Sequence, residues 1–263
     1  MPRLFQALSE AVGSSDRHVA IHLAGSRDEY DFVKYGSSPL GQDFRTQSGW
    51  AEEAWMPTGV SPVRYVYQWG IFDLANVLAV HCVHVDGEDI DVLKRMDIAV
   101  AYCARCNAKL GMGIAPLGEF MAKGLRVGIG TDSPASNSTM DCFEEMRLGL
   151  LVQRGLRGEQ GFYTAETFMR LATLEGARAL KLDHLIGSLE PGKRADIIAV
   201  DLSQSYQVPT QNPYGALVHT SNQEDVLMTM VDGRVLFDRG RFMTLDPDSM
   251  GERLEEMRLK VRE

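Results

Sequence analysis

Apolar residues cluster in four short runs along the first half of the chain, and charged stretches separate these runs. Valine, isoleucine, leucine and alanine dominate the runs, whereas the stretches between them place apolar residues at helical spacing. The runs cover residues 18–24, 77–85, 98–103 and 125–130. Continuous β-branched runs that alternate with helical patterns are typical of parallel strands covered by helices. The pattern therefore predicts an α/β fold with four parallel strands.

A helix is predicted after each run. These four helices cover residues 28–35, 88–96, 116–123 and 141–153. Another helix is predicted over residues 164–181, with Thr164 as its N-cap. The segment 36–62 is rich in glycine, serine, proline and tryptophan and has no clear period. It is either an active-site lid or a helical excursion packed outside the sheet, and the sequence leaves both interpretations open.

The pattern changes at about residue 186. Short apolar runs and turns follow, and Asp232-Gly233 between two such runs is a strong β-hairpin signal. The last stretch, residues 249–263, has the composition of a charged, exposed helix. The sequence thus predicts two parts: an α/β body over residues 1–185, and a small β element with a terminal helix over residues 186–263.

Composition excludes several classes of protein. Of the 263 residues, 44% are hydrophobic and 24% are charged, as in globular proteins, and the net charge is −9. The negative charge argues against a nucleic-acid or membrane-surface partner. No apolar run approaches the roughly 20 residues of a membrane-spanning helix, and the chain starts without the apolar stretch of a signal peptide. We therefore expect a cytoplasmic protein, in which the four cysteines stay reduced.

Polar side chains follow the predicted strands where these end. His22 lies near the end of the first strand, His81 lies in the second, and the fourth leads into Asp132 and Ser133. The carboxyl ends of parallel strands meet at one edge of a sheet or barrel, which is where ligands bind. Histidine and aspartate are ligands of borderline divalent metals. Alone, each residue could equally be a core histidine or a helix cap, but together they indicate a site.

Two other features are weaker. Cys103 and Cys106 could be half of a zinc site or a redox dithiol, but no second pair has matching spacing, which favours incidental core or loop cysteines. The Gly-x-Gly fragments at residues 111–113 and 128–130 do not complete a dinucleotide-binding pattern, so no nucleotide cofactor is expected.

Read in order, several segments together resemble the amidohydrolase superfamily, and within it the 5-methylthioadenosine/S-adenosylhomocysteine deaminase and chlorohydrolase group. These segments are HLA at 22–24, VHCVHVD at 80–86, NAKLGMGIAP at 107–116, GTDSPASN at 130–137 and IGSLEPGKRAD at 186–196. The resemblance implies a (β/α)8 barrel with a composite β-sandwich. It also implies that this chain corresponds to the C-terminal half, with barrel strands five to eight and part of the sandwich.

The resemblance also implies roles for individual residues. His22 would be a metal ligand, and Asp132 would be both a ligand and the acceptor of the proton from the attacking water. His81 would hydrogen-bond that water and the tetrahedral centre, Ser133 would contact substrate, and His84 would have a packing role. The implied cofactor is a divalent metal, with zinc as the first choice and iron as the second. The implied reaction is hydrolytic deamination of an aminopurine nucleoside or related N-heterocycle.

The sequence departs from the family pattern in three places. The 263 residues contain no His-x-His pair. Gly25 stands where the family's deaminases carry a glutamate that acts as the general acid/base. Asp28 or Glu29 could replace that glutamate only if the end of the strand were remodelled. Relatives also often read Pro-x-Ser-Asn where this chain has residues 104–107 as ARCN. The alternative to an active deaminase is therefore an inactive fragment or half of a split enzyme. Such a chain would self-associate or pair with a complementing N-terminal half.

Overall fold

The computed structural model describes residues 2–13, 17–49, 55–74, 76–158 and 163–261. The helices up to residue 122 are α1 (Pro2–Val12), α2 (Arg27–Tyr35), α3 (Pro39–Gln47), α4 (Pro62–Gln68), α5 (Gly87–Arg95), α6 (Ala104–Lys109) and α7 (Leu117–Ala122). The later helices are α8 (Pro134–Asn137), α9 (Cys142–Arg157), α10 (Ala165–Ala172), α11 (Leu174–Ala179), α12 (Pro213–His219) and α13 (Pro247–Val261). The strands are β1 (His18–Leu23), β2 (Asn76–His81), β3 (Ala99–Tyr102), β4 (Val127–Ile129), β5 (Ile197–Val200), β6 (Val226–Val231), β7 (Arg234–Asp238) and β8 (Arg241–Phe242).

The first four strands form one parallel sheet in the order β1-β2-β3-β4. The register pairs Leu23 with His81, and Tyr102 with Ile129, so the carboxyl ends of neighbouring strands lie side by side. This confirms the predicted α/β class with a parallel sheet. Because the four strands are parallel, their carboxyl ends all lie at the same edge of the sheet.

One face of this sheet packs against helices and forms the main core. Val77 and Ala79 of β2 and Val100 of β3 point into it and are at most 5% exposed. Helix α9 contributes Met146 and Leu150 to the same core. Burial of each of these valine, leucine and methionine side chains stabilises the fold by roughly 1.5–3 kcal/mol. Against the opposite face the described residues form a small buried cluster, which consists of Val80, Cys103 and Cys106 of α6.

The remaining strands form an antiparallel sheet in the order β5-β6-β7-β8. Asp232 and Gly233 connect β6 to β7, with φ values of 51° and 77°. Positive φ at both central residues is typical of the two-residue turn that matches strand twist. The predicted hairpin is therefore confirmed, and the terminal helix is present as α13.

The structure differs from two predicted elements. The second apolar run was expected to continue as a strand to residue 85, but β2 ends at His81, where His81 and Cys82 adopt φ values of 76° and 46°. The helix expected over residues 164–181 is divided into α10 and α11 at Thr173, whose φ is −125°. Both differences arise from tertiary contacts, which the local pattern does not report.

Part of the glycine-rich segment 36–62 is helical. Helix α3 begins after Ser38, whose side chain accepts a hydrogen bond from the Gly41 N–H at 3.0 Å. Farther along, Trp55 stacks on Phe32 of α2 with ring centroids 5.1 Å apart. These contacts favour the helical excursion over an irregular lid, while residues 50–54 lie outside the described part. No helix in the described ranges is long and apolar enough to cross a membrane.

Candidate metal and catalytic site

The two predicted catalytic residues meet at the carboxyl edge of the parallel sheet. His81 is the last residue of β2, and Asp132 follows β4 after a short turn. His81 Nε2 lies 3.8 Å from Asp132 Oδ2. The predicted ligand His22 lies on β1 beside them, with its ring centroid 5.0 Å from that of His81. The sheet register therefore brings together three residues that are far apart in the sequence.

The backbone at this edge is strained. His81, Cys82 and Asp132 all have positive φ, at 76°, 46° and 59°. Each such residue costs about 1–3 kcal/mol unless surrounding contacts hold it. Here the Cys82 N–H donates to the Leu23 carbonyl at 3.1 Å, which ties the turn to the end of β1. Strain of this kind concentrates at functional sites and supports the location of the site.

A buried amide orients the His81 ring. Nδ1 of His81 lies 2.8 Å from Oδ1 of Asn107, and His81 is 2% exposed. Because a carbonyl oxygen only accepts, Nδ1 carries the proton and Nε2 keeps its lone pair facing Asp132. Burial lowers the pKa of His81, although the Asn107 hydrogen bond acts in the opposite direction. The imidazole is therefore neutral at pH 7, as a ligand or a hydrogen-bond partner of water requires.

Asp132 is an ionised carboxylate. Burial alone would raise its pKa, but hydrogen bonds from Cys106, Ser136 and the Ser133 N–H outweigh burial and hold the pKa below its ordinary value. The Cys106 thiol donates to Oδ2 at 2.8 Å, and the Ser133 N–H donates to Oδ1 at 2.6 Å. Burial and the neighbouring carboxylate raise the pKa of the Cys106 thiol to about 11.

Three side chains at this edge form a cluster that can hold a metal ion. One ligand atom each from His81, Cys106 and Asp132 lies within 4.8 Å of the other two. Imidazole, thiol and carboxylate are the three donor types that zinc uses. The residues present therefore fit a divalent metal of the zinc class. His22 is adjacent to this cluster through its ring contact with His81, but it is not one of the three.

Gly25 lies directly beside the His81 ring. A Cβ atom placed at this position would be 3.3 Å from His81 Cδ2 and 3.2 Å from Met112 Cε. A side chain at residue 25 would thus project into the site. The nearby Glu29 does not take its place, because its carboxylate accepts the Ala24 and Gly25 N–H groups at 2.7 and 2.8 Å. Glu29 and Asp28 belong to the first turn of α2, whose N-cap is Ser26.

Ser133 and His84 make structural contacts. The Ser133 side chain accepts a hydrogen bond from the Ala135 N–H at 3.1 Å and caps the short helix α8. Its substrate-binding role stays a prediction. Nε2 of His84 lies 2.8 Å from the carbonyl oxygen of Met112, which holds the loop after α6 against the end of β2.

Two residues that support the site, Asn107 and Glu145, are not among the candidates from the sequence, and Cys106 is interpreted there as an incidental core or loop cysteine. Glu145 is 1% exposed, and its carboxylate accepts from the Arg105 N–H at 3.0 Å and from Asn137 Nδ2 at 2.7 Å. The sequence signal for Cys106 is the departure from Pro-x-Ser-Asn at residues 104–107, which places the Cys106 thiol where relatives often carry a serine hydroxyl.

A large cleft lies elsewhere. It has a volume of about 680 Å³ and runs along the face of the parallel sheet opposite the main core, past Leu78 and Ala101, to Ile198 and Tyr214 of the C-terminal part. His81, Cys106 and Asp132 do not line it. The candidate site is therefore the cluster of His81, Cys106 and Asp132 and not this cleft.

Comparisons with known proteins identify relatives in sequence and in fold. The chain is 39% identical over 249 residues to a 5-methylthioadenosine/S-adenosylhomocysteine deaminase of Moorella thermoacetica, covering 95% of this chain and 53% of that protein. A zinc-bound adenosine deaminase from Xanthomonas campestris superposes with a TM-score of 0.84 at 24% identity, over 100% of this chain and 55% of that one. Atrazine chlorohydrolase from Arthrobacter aurescens TC1, complexed with zinc, superposes with a TM-score of 0.77 at 24% identity, over 96% of this chain and 51% of that one.

The chain thus spans about half the length of the curated relatives it matches. The likeness to the zinc-bound structures concerns the fold. A sequence profile of the amidohydrolase family matches residues 2–236, which is most of the chain. The chain belongs to the amidohydrolase family.

Proposed function

We propose that this chain carries the catalytic edge of a metal-dependent deaminase that hydrolyses an aminopurine nucleoside or a related N-heterocycle. The observation that carries the proposal is the pairing of a neutral, oriented imidazole, His81, with an ionised carboxylate, Asp132, at 3.8 Å. Such a pair can bind and deprotonate water next to an electrophilic ring carbon. The names of the curated relatives support deamination as the reaction class.

Each residue has a distinct task in this proposal. Asp132 and His22 bind the metal, and Asp132 also accepts the proton of the attacking water. His81 Nε2 accepts a hydrogen bond from the attacking water and then from the hydroxyl of the tetrahedral centre, and Asn107 keeps its ring in place. When bound, a divalent ion lowers the pKa of its water toward neutrality. The water oxygen adds to the amino-bearing carbon, and Asp132 passes the proton it accepted to the leaving amino nitrogen. The C–N bond then breaks to release ammonia, and the second water proton moves to the ring nitrogen.

The substrate class follows from the relatives. Methylthioadenosine and S-adenosylhomocysteine are the compounds named for the curated deaminases, and adenosine is named for a structural neighbour. We propose a small nucleoside of this kind as the substrate, with Ser133 as a contact. Zinc is the proposed metal ahead of iron, supported by the zinc-bound neighbours.

We also propose the architecture and the location. Residues 1–185 correspond to the C-terminal half of a (β/α)8 barrel, with β1 to β4 as barrel strands five to eight, and residues 186–263 correspond to part of a β-sandwich and the terminal helix. The fold similarity to roughly half of each neighbour supports this division. A cytoplasmic location is supported by the cysteines, all four of which are free thiols.

Ammonia release tests the proposed function. The zinc-loaded chain is incubated with adenosine, methylthioadenosine or S-adenosylhomocysteine, and ammonia is measured. Asp132→Asn should reduce the rate by roughly 10²–10⁴-fold, because the amide cannot accept the proton. Asp238→Asn is the matched control, since Asp238 is an exposed aspartate at the end of β7, and it should leave the rate unchanged. Equal rates for the two variants would contradict the assignment.

A second candidate is a chain that is inactive until a complementing segment joins it. Three observations favour it. Gly25 supplies no acid/base group, and the alternate side chains of β1, His18, Ala20 and His22, are exposed. In a closed barrel these side chains would face the opposite strands. The 263 residues also contain no His-x-His pair to complete the implied ligand set.

A further inference from the structure

A cysteine thiol lies at the centre of the site, where the family resemblance implies a hydroxyl. Cys106 is fully buried in the first turns of α6, and its Sγ lies 2.8 Å from Asp132 Oδ2. His81 Nε2 approaches the same oxygen from β2 at 3.8 Å. Three different elements therefore bring one soft, one borderline and one hard ligand atom to a single point.

We propose that Cys106 is a metal ligand, and that its thiolate binds one divalent ion of the zinc class together with Asp132 and His81. The inference rests on the metal centre of the proposed function but not on the identity of the substrate. It changes two of the roles given above: His81 becomes a direct ligand, and His22 lies beside the metal, against the His81 ring, instead of binding it. The thiolate compensates in part for the histidine ligands that the 263 residues do not supply.

The geometry of the three ligand atoms supports this assignment. Zinc binds nitrogen and oxygen at about 2.0–2.2 Å and sulfur at about 2.3 Å, so two ligands of one tetrahedral ion lie about 3.3–3.8 Å apart. The 3.8 Å between His81 Nε2 and Asp132 Oδ2 is a few tenths of an ångström wider than the roughly 3.3–3.6 Å of a nitrogen–oxygen pair on one ion, so the two side chains need to close only slightly. Sγ and Oδ2 are closer because a proton joins them. A small movement of the Cys106 side chain would open that pair to ligand spacing.

The protonation state of each group is consistent with metal binding. His81 Nε2 keeps its lone pair because Nδ1 is engaged by Asn107. This outer hydrogen bond is the arrangement that orients ligating histidines. On binding, the S–H bond of Cys106 breaks, the metal–sulfur bond forms, and the proton passes to the solvent buffer. The ion then replaces the thiol proton between Sγ and Oδ2, and one tetrahedral position is left for water.

The ligand set also predicts which metals bind. Thiolate and imidazole favour zinc and cobalt over magnesium and manganese, which prefer oxygen ligands. Zinc centres that contain thiolate ligands activate water in other nucleobase deaminases. A sulfur ligand is therefore compatible with the proposed reaction, and it distinguishes this chain from relatives that carry serine at the same position.

Cobalt spectroscopy tests the assignment independently of catalysis. The full chain is freed of metal with a chelator and titrated with Co²⁺ while its near-ultraviolet absorption is recorded. Wild type should take up one Co²⁺ with a thiolate-to-cobalt charge-transfer band. Cys106→Ser should lose this band, whereas Cys142→Ser, at an exposed cysteine on α9, should retain it. Far-UV circular dichroism checks that both variants are folded.

A second measurement needs no variant. X-ray absorption of the zinc-loaded wild-type chain should show one sulfur ligand at about 2.3 Å. A Co²⁺ complex without a charge-transfer band, a zinc shell without sulfur, or a band that persists in Cys106→Ser would each overturn the inference. If the band is present and no ammonia is released from any nucleoside, the metal site stands and the proposed function fails.

Discussion

Gly25 is the residue whose side chain, or lack of one, has the largest chemical consequence. It follows the end of β1, and a Cβ atom there would lie 3.3 Å from the His81 ring. Its backbone does not require glycine, since its φ is outside the positive range that disfavours other residues. The closest atom, Met112 Cε, is the end of a flexible side chain that can yield. A longer side chain at residue 25 would reach the site, and it would require the His81 ring to shift by a few tenths of an ångström as well.

Gly25→Glu should raise the rate of ammonia release by roughly 10²–10⁴-fold, because a carboxylic acid would then be available to protonate a ring nitrogen. The measurement is a steady-state assay of the zinc-loaded variant beside wild type. Gly25→Gln is the control, since it has nearly the same size but no proton to exchange. An equal response of the two variants would show that the gain is steric, and no response would indicate that other missing groups limit the reaction.

At the scale of elements, α5 is anchored by a complete capping box. Asp86 accepts the Asp89 N–H at 2.9 Å, and the Asp89 carboxylate accepts the Asp86 N–H at 3.1 Å. Arg64 of α4 adds an ion pair with Asp86 at 2.7 Å. The helix therefore starts at a fixed point five residues after His81, which secures the left-handed turn at the end of β2.

Asp86→Ala should lower the free energy of unfolding by about 0.5–2 kcal/mol, since the Asp89 N–H loses its side-chain acceptor. Urea denaturation gives this difference. Asp91→Ala on the same helix is the control, because Asp91 makes only an exposed ion pair with Lys123 and should cost less than about 1 kcal/mol. A larger loss in the control than in Asp86→Ala would contradict the capping argument.

The elements themselves were largely predictable. The four parallel strands and the β6–β7 hairpin follow from apolar runs and turn residues, which are local signals. The break at Thr173 is not local: it allows α11 to press Gly176 against β4, where a Cβ at Gly128 would lie 2.9 Å from the Gly176 Cα. Helical periodicity continues through Thr173, so only the packing of α11 on the sheet reveals the break.

Only the part of the site that lies at the strand ends was predictable from the sequence. The proximity of His81 and Asp132 follows from parallel register, which aligns the ends of neighbouring strands. The position of Cys106 depends instead on where α6 begins and how it is rotated. Those features are fixed by the Arg105 N–H bond to Glu145, a contact across 40 residues. The sequence therefore indicated incidental cysteines, whereas the structure places Cys106 beside Asp132.

At the scale of the whole molecule, the two faces of the parallel sheet differ. One face is buried under helices. On the other face Leu78 and Ala101 line an open cleft, and His18, Ala20 and His22 of β1 are exposed. The free edge of β1 also has no strand paired to it among the described residues. An uncovered apolar face and an open edge are features of an association surface.

Mixing this chain with the complementary segment of the Moorella thermoacetica deaminase should raise ammonia release above that of the chain alone. The segment would cover the exposed face and supply the histidine pair that the family resemblance implies. The same segment mixed with the Asp132→Asn chain is the control and should give no increase. Failure of the mixture to exceed the chain alone, with binding verified by size-exclusion chromatography, would remove the second candidate.

The Glu145 carboxylate has a consequence for how the site is assembled. One oxygen holds the backbone next to Cys106, and the other holds Asn137, which in turn donates to the Thr131 carbonyl next to Asp132 at 2.5 Å. Glu145 forms no hydrogen bond with His81, Cys106 or Asp132 themselves, but it fixes the distance between Cys106 and Asp132 through their neighbours. The ligands are arranged during folding, so an arriving ion meets a preorganised site and binds without having to order the chain around itself.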